Sequence, residues 1–272
     1  GADIPQQLAA DLGIVIVPLI VSFGDESYKD GVELSADQFY QRLIHADMMP
    51  STSQPSVGSF AEVYNKIRAD SNEILSIHLS SRLSGTLNSA TQAGVQENLG
   101  ESIQFIDSKQ ASMGLGLSVI AAAKAAKDGA SLVEAASVAR SVLDRTRIFI
   151  LFDTLRYLEK GGPIGQASAL LGSVLHIKPV ITLEDGEIAT KAKIRTFRKG
   201  IQSLHQLTEE CGDLESAAIL YTTDPAEARK FAGNISNHFV EDSDPSIIRI
   251  SPAVGAHGGP GVIGVVCVIA QA

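Results

Sequence analysis

A short apolar run that breaks into hydroxyls and resumes as a helix constrains this chain more than any other feature. Ile74, Leu75, Ile77 and Leu79 read as a buried strand. Ser80, Ser81, Ser84, Gly85 and Thr86 follow, and a polar-faced helix continues through Leu87, Ala90 and Val95. Strands that end in polar loops and pass into helices belong to α/β folds, which bind ligands at those loops. Gly85 lets the backbone approach a guest closely. The first helical turn offers unpaired N–H groups and a partial positive charge, so an anion is the natural guest. A plain Ser/Thr helix cap satisfies the same pattern.

The flanking chain repeats the alternation. Residues 14–23, IVIVPLIVSF, read as a strand or strand pair, with Pro18 at an edge or bulge. Ser35 caps a helix over Ala36–His45, and a second polar loop, Met48–Ser56, is stiffened by Pro50 and Pro55. A helix from Val57 to Ile67, a strand at Ile103–Ile106 and helices over Met113–Lys127 and Leu132–Leu143 complete residues 1–146. This pattern predicts a parallel α/β/α domain, with TSQPS, SSRLSGT and DSKQAS gathered on one sheet edge.

Beyond Arg145 the character changes. Ile148–Phe152 is apolar, and a short helix over Thr154–Lys160 stops at Gly161-Gly162-Pro163. A helix is expected over Gln166–Leu175. Pro179–Leu183 and Glu187–Ile194 flank Glu184-Asp185-Gly186, a hairpin signal. Phe197–Cys211 and Pro225–Phe239 read as helices, and Ala217–Tyr221 and Ile247–Ile250 as strands. The loop SPAVGAHGGPG leads into a last strand, Val262–Ile269. A hairpin inside alternating elements predicts an α+β domain over 147–272, with a mixed or antiparallel sheet.

Several functions are disfavoured. The net charge of −9 argues against nucleic acid. No apolar run reaches ~18 residues, so stable membrane insertion is not expected. The N-terminal GADIPQQLAADLG lacks the regions of a signal peptide, and Cys211 and Cys267 carry neither metal-ligand spacing nor a disulfide framework. A cytoplasmic location is the simplest expectation. Gly259–Gly264 matches G-x-G-x-x-G, but a strand rather than a helix follows, so it is no dinucleotide fingerprint. His45, His205 and His238 read as solvated surface groups, and His78 as a structural residue in a strand. His257 stands among Gly255, Gly258, Gly259 and Gly261, where an imidazole can approach a ligand. A Ser84–His257–Asp107 triad is conceivable, because triads are defined by geometry rather than order.

Four segments together resemble the DegV family of bacterial fatty-acid-binding proteins: TSQPS (52–56), HLSSRLSGT (78–86), IDSKQASMGLG (106–116) and GAHGGPGVIGV (255–265). LRYLEKGGPIG (155–165), LHIKPVITLEDGEI (175–188) and KIRT (193–196) extend the match in family order. The resemblance implies two α/β domains with a long-chain fatty acid, of the palmitate or oleate class, buried between them. It implies a lipid-carrying subunit, not itself an enzyme, whose partner fatty acid kinase turns the bound carboxylate into an acyl phosphate for phospholipid synthesis. No metal or cofactor is implied beyond the lipid.

The resemblance places the carboxylate on Thr52, Ser84 and His257. Ser53, Gln54, Gly85, Thr86 and Gly258 are secondary candidates in the same loops. Two departures stand out. The family has a strand ending in Asp-Ser before the Ala2-Asp3-Ile4-Pro5 segment, so the first sheet would lack a strand. The family also reads GGR where this chain has Gly161-Gly162-Pro163, on a surface that works with the kinase. Lys160, Lys193 and Arg195 are the nearest replacement cations.

Overall fold

The computed structural model describes residues 1–46, 48–71, 73–161, 177–240 and 244–271. Helix α1 (Gln6–Asp11) precedes an antiparallel ribbon in which β1 (Ile20–Phe23) pairs with β2 (Glu26–Lys29) and with β3 (Ser51–Ser53). Helix α2 (Ala36–His45) is inserted before β3, and α3 (Val57–Asp70) follows it. Then come β4 (Ile74–His78), α4 (Thr86–Gln96), β5 (Ile103–Asp107), α5 (Met113–Lys127) and α6 (Leu132–Arg145). The remainder is β6 (Thr146–Leu151), α7 (Arg156–Gly161), β7 (Lys178–Glu184), β8 (Glu187–Ile194), α8 (Phe197–Glu209), β9 (Leu214–Tyr221), α9 (Pro225–Ile235), β10 (Ser246–Arg249), α10 (Pro252–Gly258) and β11 (Ile263–Ile269). The helix expected over Gln166–Leu175 lies outside the described residues.

Local signals account for most boundaries. Ser35 and Ser131 each close a capping box, with Gln38 and Glu134 three residues on. Ser56 and Thr196 accept the N–H groups of Ser59 and Lys199. The expected hairpin turns at Asp185 (φ 48°) and Gly186 (φ 82°), left-handed values at both central residues.

Residues 146–269 supply the whole of a six-stranded sheet, in the order β10-β9-β11-β6-β7-β8. Its pairs are antiparallel except β9–β10, the mixed arrangement that the hairpin predicts. Before residue 146 the strands differ from expectation. Among the described strands there, only β4 and β5 pair in parallel, and Thr52 sits in the separate antiparallel ribbon. The polar ends of β4 and β5 do lie side by side, with His78 opposite Asp107.

Among the described residues, β4 is paired along one edge only, with β5. Along the other, a cavity of about 760 Å³ separates it from residues 12–17. Consecutive residues 73–79 line one wall and 12–17 the other. Side chains of a strand alternate between faces, so unbroken runs of lining residues mean that backbone edges border the space. Ile14–Val17 carries a strand's apolar pattern but belongs to no ladder, and Val15 and Ile16 are 54% and 44% exposed. The strand expected over 14–23 is accordingly cut to Ile20–Phe23.

One core cluster gathers both halves of the chain, with Ile4, Met113 and Ile120 meeting Ile148, Phe152, Leu158, Ile181 and Ile188. One buried carboxylate ties the ribbon to α10. Asp30 accepts the Ala253 N–H at 3.0 Å and the Ser251 hydroxyl at 3.0 Å, and its side chain is 5% exposed. Asp30→Ala strands both donors and should lower unfolding free energy by about 2–3 kcal/mol in urea titrations.

Candidate functional site

Three short segments converge. Thr52 is the middle residue of β3 and pairs across from Val21. Alternation along the strand turns Ser51 and Ser53 to solvent and Thr52 to the opposite, half-buried face. That geometry separates Thr52 from its neighbour Ser53, a distinction that the polar loop alone does not make.

His257 is placed by a helix rather than by the expected loop. Ser251 adopts an N-cap conformation (φ −66°, ψ 161°), Pro252 begins α10, and Gly259 ends it at φ +74°. The glycines serve close packing as well as turning. The Tyr40 hydroxyl fills the place of a Gly255 side chain, and the Tyr157 ring that of Gly259. Tyr40 donates to the Ile250 carbonyl at 3.2 Å, fixing the approach to α10. The last turn of α10 then brings His257 Nε2 to 2.8 Å from Thr52 Oγ1. Burial holds the imidazole pKa below its ordinary value, which favours the neutral ring.

Ser84 lies on the turn between β4 and α4. Ser80, fully buried, anchors the turn: its N–H reaches the Gln110 carbonyl at 2.8 Å, and its hydroxyl reaches the Gly186 carbonyl at 2.7 Å. The Ser84 hydroxyl is 2.8 Å from Thr86 Oγ1 and accepts the Thr86 N–H at 3.3 Å, so it takes up part of the capping role. Gln54 packs over Gly85, where an added Cβ would stand 2.7 Å from Gln54 Nε2. The β3 loop thus touches both other segments, Gly85 through Gln54 and His257 through Thr52. Gly258 ends α10 beside Val262.

A hydrolytic triad is not assembled from these residues. The Asp107 carboxylate accepts from Ser81, and from the Lys109 N–H at 3.0 Å. The hydrogen bond described for His257 is to Thr52, while its Nδ1 faces Gly161. What remains is a set of small hydroxyls, one of them oriented by a neutral imidazole, suited to donating hydrogen bonds to an anion without neutralising it. Among the described residues, no group of three or more His, Cys, Asp or Glu side chains could hold a metal ion, and no helix is long and apolar enough to cross a membrane.

A family model described as "Uncharacterised protein, DegV family" matches residues 1–270. The chain belongs to the DegV family. A DegV domain-containing protein of Clostridium acetobutylicum is 36% identical over 258 residues, which is 93% of this chain and 89% of that protein. Among solved structures, a DegV family protein of Thermus thermophilus described by its fatty acid binding superposes with a TM-score of 0.91 at 29% identity, covering 99% of this chain and 96% of the other. A stearic acid-binding protein from Eubacterium ventriosum superposes with a TM-score of 0.89 at 28% identity, over 98% and 95%.

In this DegV chain the other sequence candidates separate. Lys160, Lys193 and Arg195 are exposed, and none forms an ion pair with a described residue. Pro163 lies outside the described residues. His78 is buried as a structural residue, 2.7 Å from Ser76 Oγ. His205 stays half-exposed, as a surface group would, but one face of its ring stacks on Phe231 with ring centroids 4.1 Å apart. Gly161 and Tyr157 fall in LRYLEKGGPIG, but nothing local ties them or Tyr40 to α10 and its histidine, because their partners lie far away in the chain.

Proposed function

We propose that this chain binds a long-chain fatty acid, with the carboxylate at Thr52, Ser84 and His257 and the tail between two domains that divide near residue 146. The observation that carries the reading is the Thr52–His257 hydrogen bond, which joins residues 205 positions apart at an otherwise uncharged donor cluster. The DegV relatives described as fatty-acid-binding support it.

A tail of ~16 carbons buries about 14 methylenes at roughly 0.8 kcal/mol each, ~11 kcal/mol before the costs of association. The apolar cluster shared by both halves suits it, and Leu83, next to Ser84, packs against that cluster.

With the proton on His257 Nε2, the ring donates to Thr52 and frees the threonine hydroxyl to donate to the carboxylate. No fixed cation quenches the acid, so one carboxylate oxygen stays available to attack a phosphoryl group. A partner fatty acid kinase would supply that group, and Lys160, Lys193 and Arg195 are the cations offered to it. Denaturing extraction of purified protein followed by mass spectrometry should release one fatty acid per chain. Absence of any lipid, with no thermal stabilisation by palmitate or oleate, would refute binding. Acyl phosphate formed with a family kinase and ATP tests the partnership separately.

A further inference from the structure

Gly161 closes α7, where a glycine is ordinarily explained by a left-handed backbone. That explanation fails here, because Gly161 is not among the positive-φ glycines. The missing side chain answers to space instead. A Cβ at Gly161 would stand 2.7 Å from His257 Nδ1, 3.3 Å from Cε1 and 3.5 Å from Cγ. One whole edge of the imidazole therefore lies against the glycine, while Nε2 on the far side meets Thr52 at 2.8 Å. We infer that Gly161 is a positioning residue for His257, its bare Cα forming the wall that holds the imidazole on Thr52.

The wall cannot simply step back. Tyr157 lies four residues before Gly161, on the same face of α7, and its ring occupies the place of a Gly259 side chain. Leu158, 5% exposed, fixes the helix in the main core. Two neighbouring positions of α7 thus grip the end of α10, at His257 and Gly259. Against a backbone pinned in this way the soft element is the ring, which turns about two side-chain torsions. A methyl group at position 161 would drive the ring off, and Nε2 would leave Thr52.

This makes stability and ligand affinity respond differently. Alanine suits a helix better than glycine, which offsets part of the cost of the lost Thr52–His257 hydrogen bond, so Gly161→Ala should stay folded and melt within a few degrees of wild type. Its palmitate Kd should nevertheless rise about tenfold or more, as expected for loss of a hydrogen bond to a charged group. In a His257→Ala background the same change should shift Kd by less than about twofold, since no ring remains to be moved. Side-chain 15N shifts of His257 in lipid-free protein should differ between wild type and Gly161→Ala, reporting the broken contact with Thr52. A Kd within about twofold of wild type, an equal loss in the His257→Ala background, or unaltered imidazole shifts would each overturn the assignment. The ligand readout rests on the fatty-acid reading above. If wild type takes up no palmitate that reading falls, while the lipid-free shifts still decide the role of Gly161.

Discussion

His257→Ala should weaken palmitate binding by roughly ten- to a hundredfold, the equivalent of one hydrogen bond to a charged group. Thr52→Val, which keeps the shape and removes the hydroxyl, should cost a similar factor. The two losses should not add. Thr52 Oγ1 and His257 Nε2 are hydrogen-bonded at 2.8 Å, so removing one partner already disables the other, and the double variant should resemble either single one. Ser84→Ala acts on a separate turn and should add to both. Displacement of a fluorescent fatty acid measures the single and combined variants, and melting curves check that each is folded. Affinities for His257→Ala and Thr52→Val within about twofold of wild type would remove the carboxylate site from these residues.

Acid should destabilise the fold through a different histidine. His78 is 8% exposed between Ser76 and the Phe60 ring. Burial pushes its pKa down from 6.5 to about 4, with Asp107 opposing the shift. Between those values the unfolded chain binds a proton that the native chain refuses. Stability is therefore complete above pH 6.5 and falls as pH drops toward 4. A difference of about 2.5 pK units corresponds to roughly 3 kcal/mol lost by pH 4. Urea midpoints at neutral pH and near pH 4 should separate accordingly, and His78→Gln should remove that part of the decline. An acid limb identical in His78→Gln and wild type would mean that another group carries it. Tyr64, 2.8 Å from Ser76 Oγ, extends the same buried network, and burial raises its own pKa to about 12.

Much of the fold is written in short-range chemistry. Capping serines at 35, 56 and 131, the Asp185-Gly186 turn and the apolar periods place most elements to within a few residues. The reading failed where partners decide. Ile14–Val17 looks like a strand, but a strand exists only with a neighbour to bond, and a cavity stands beside it. SPAVGAHGGPG looks like a glycine loop, yet Gly255 is bare to admit Tyr40, and Ser251-Pro252 starts a helix. The stacking of half-exposed His205 on Phe231 was not legible either, because the two are remote in sequence.

By itself the sequence determined that hydroxyl-rich turns end its strands, that a histidine sits among glycines near the C-terminus, and that the chain resembles the DegV family. Only the tertiary structure decided that Thr52 rather than Ser53 meets His257, and that Gly161 walls the imidazole. A residue's type and its local conformation follow from neighbours along the chain. Which face of a short strand meets a helix end 205 residues away is fixed by packing, and packing has no local signature.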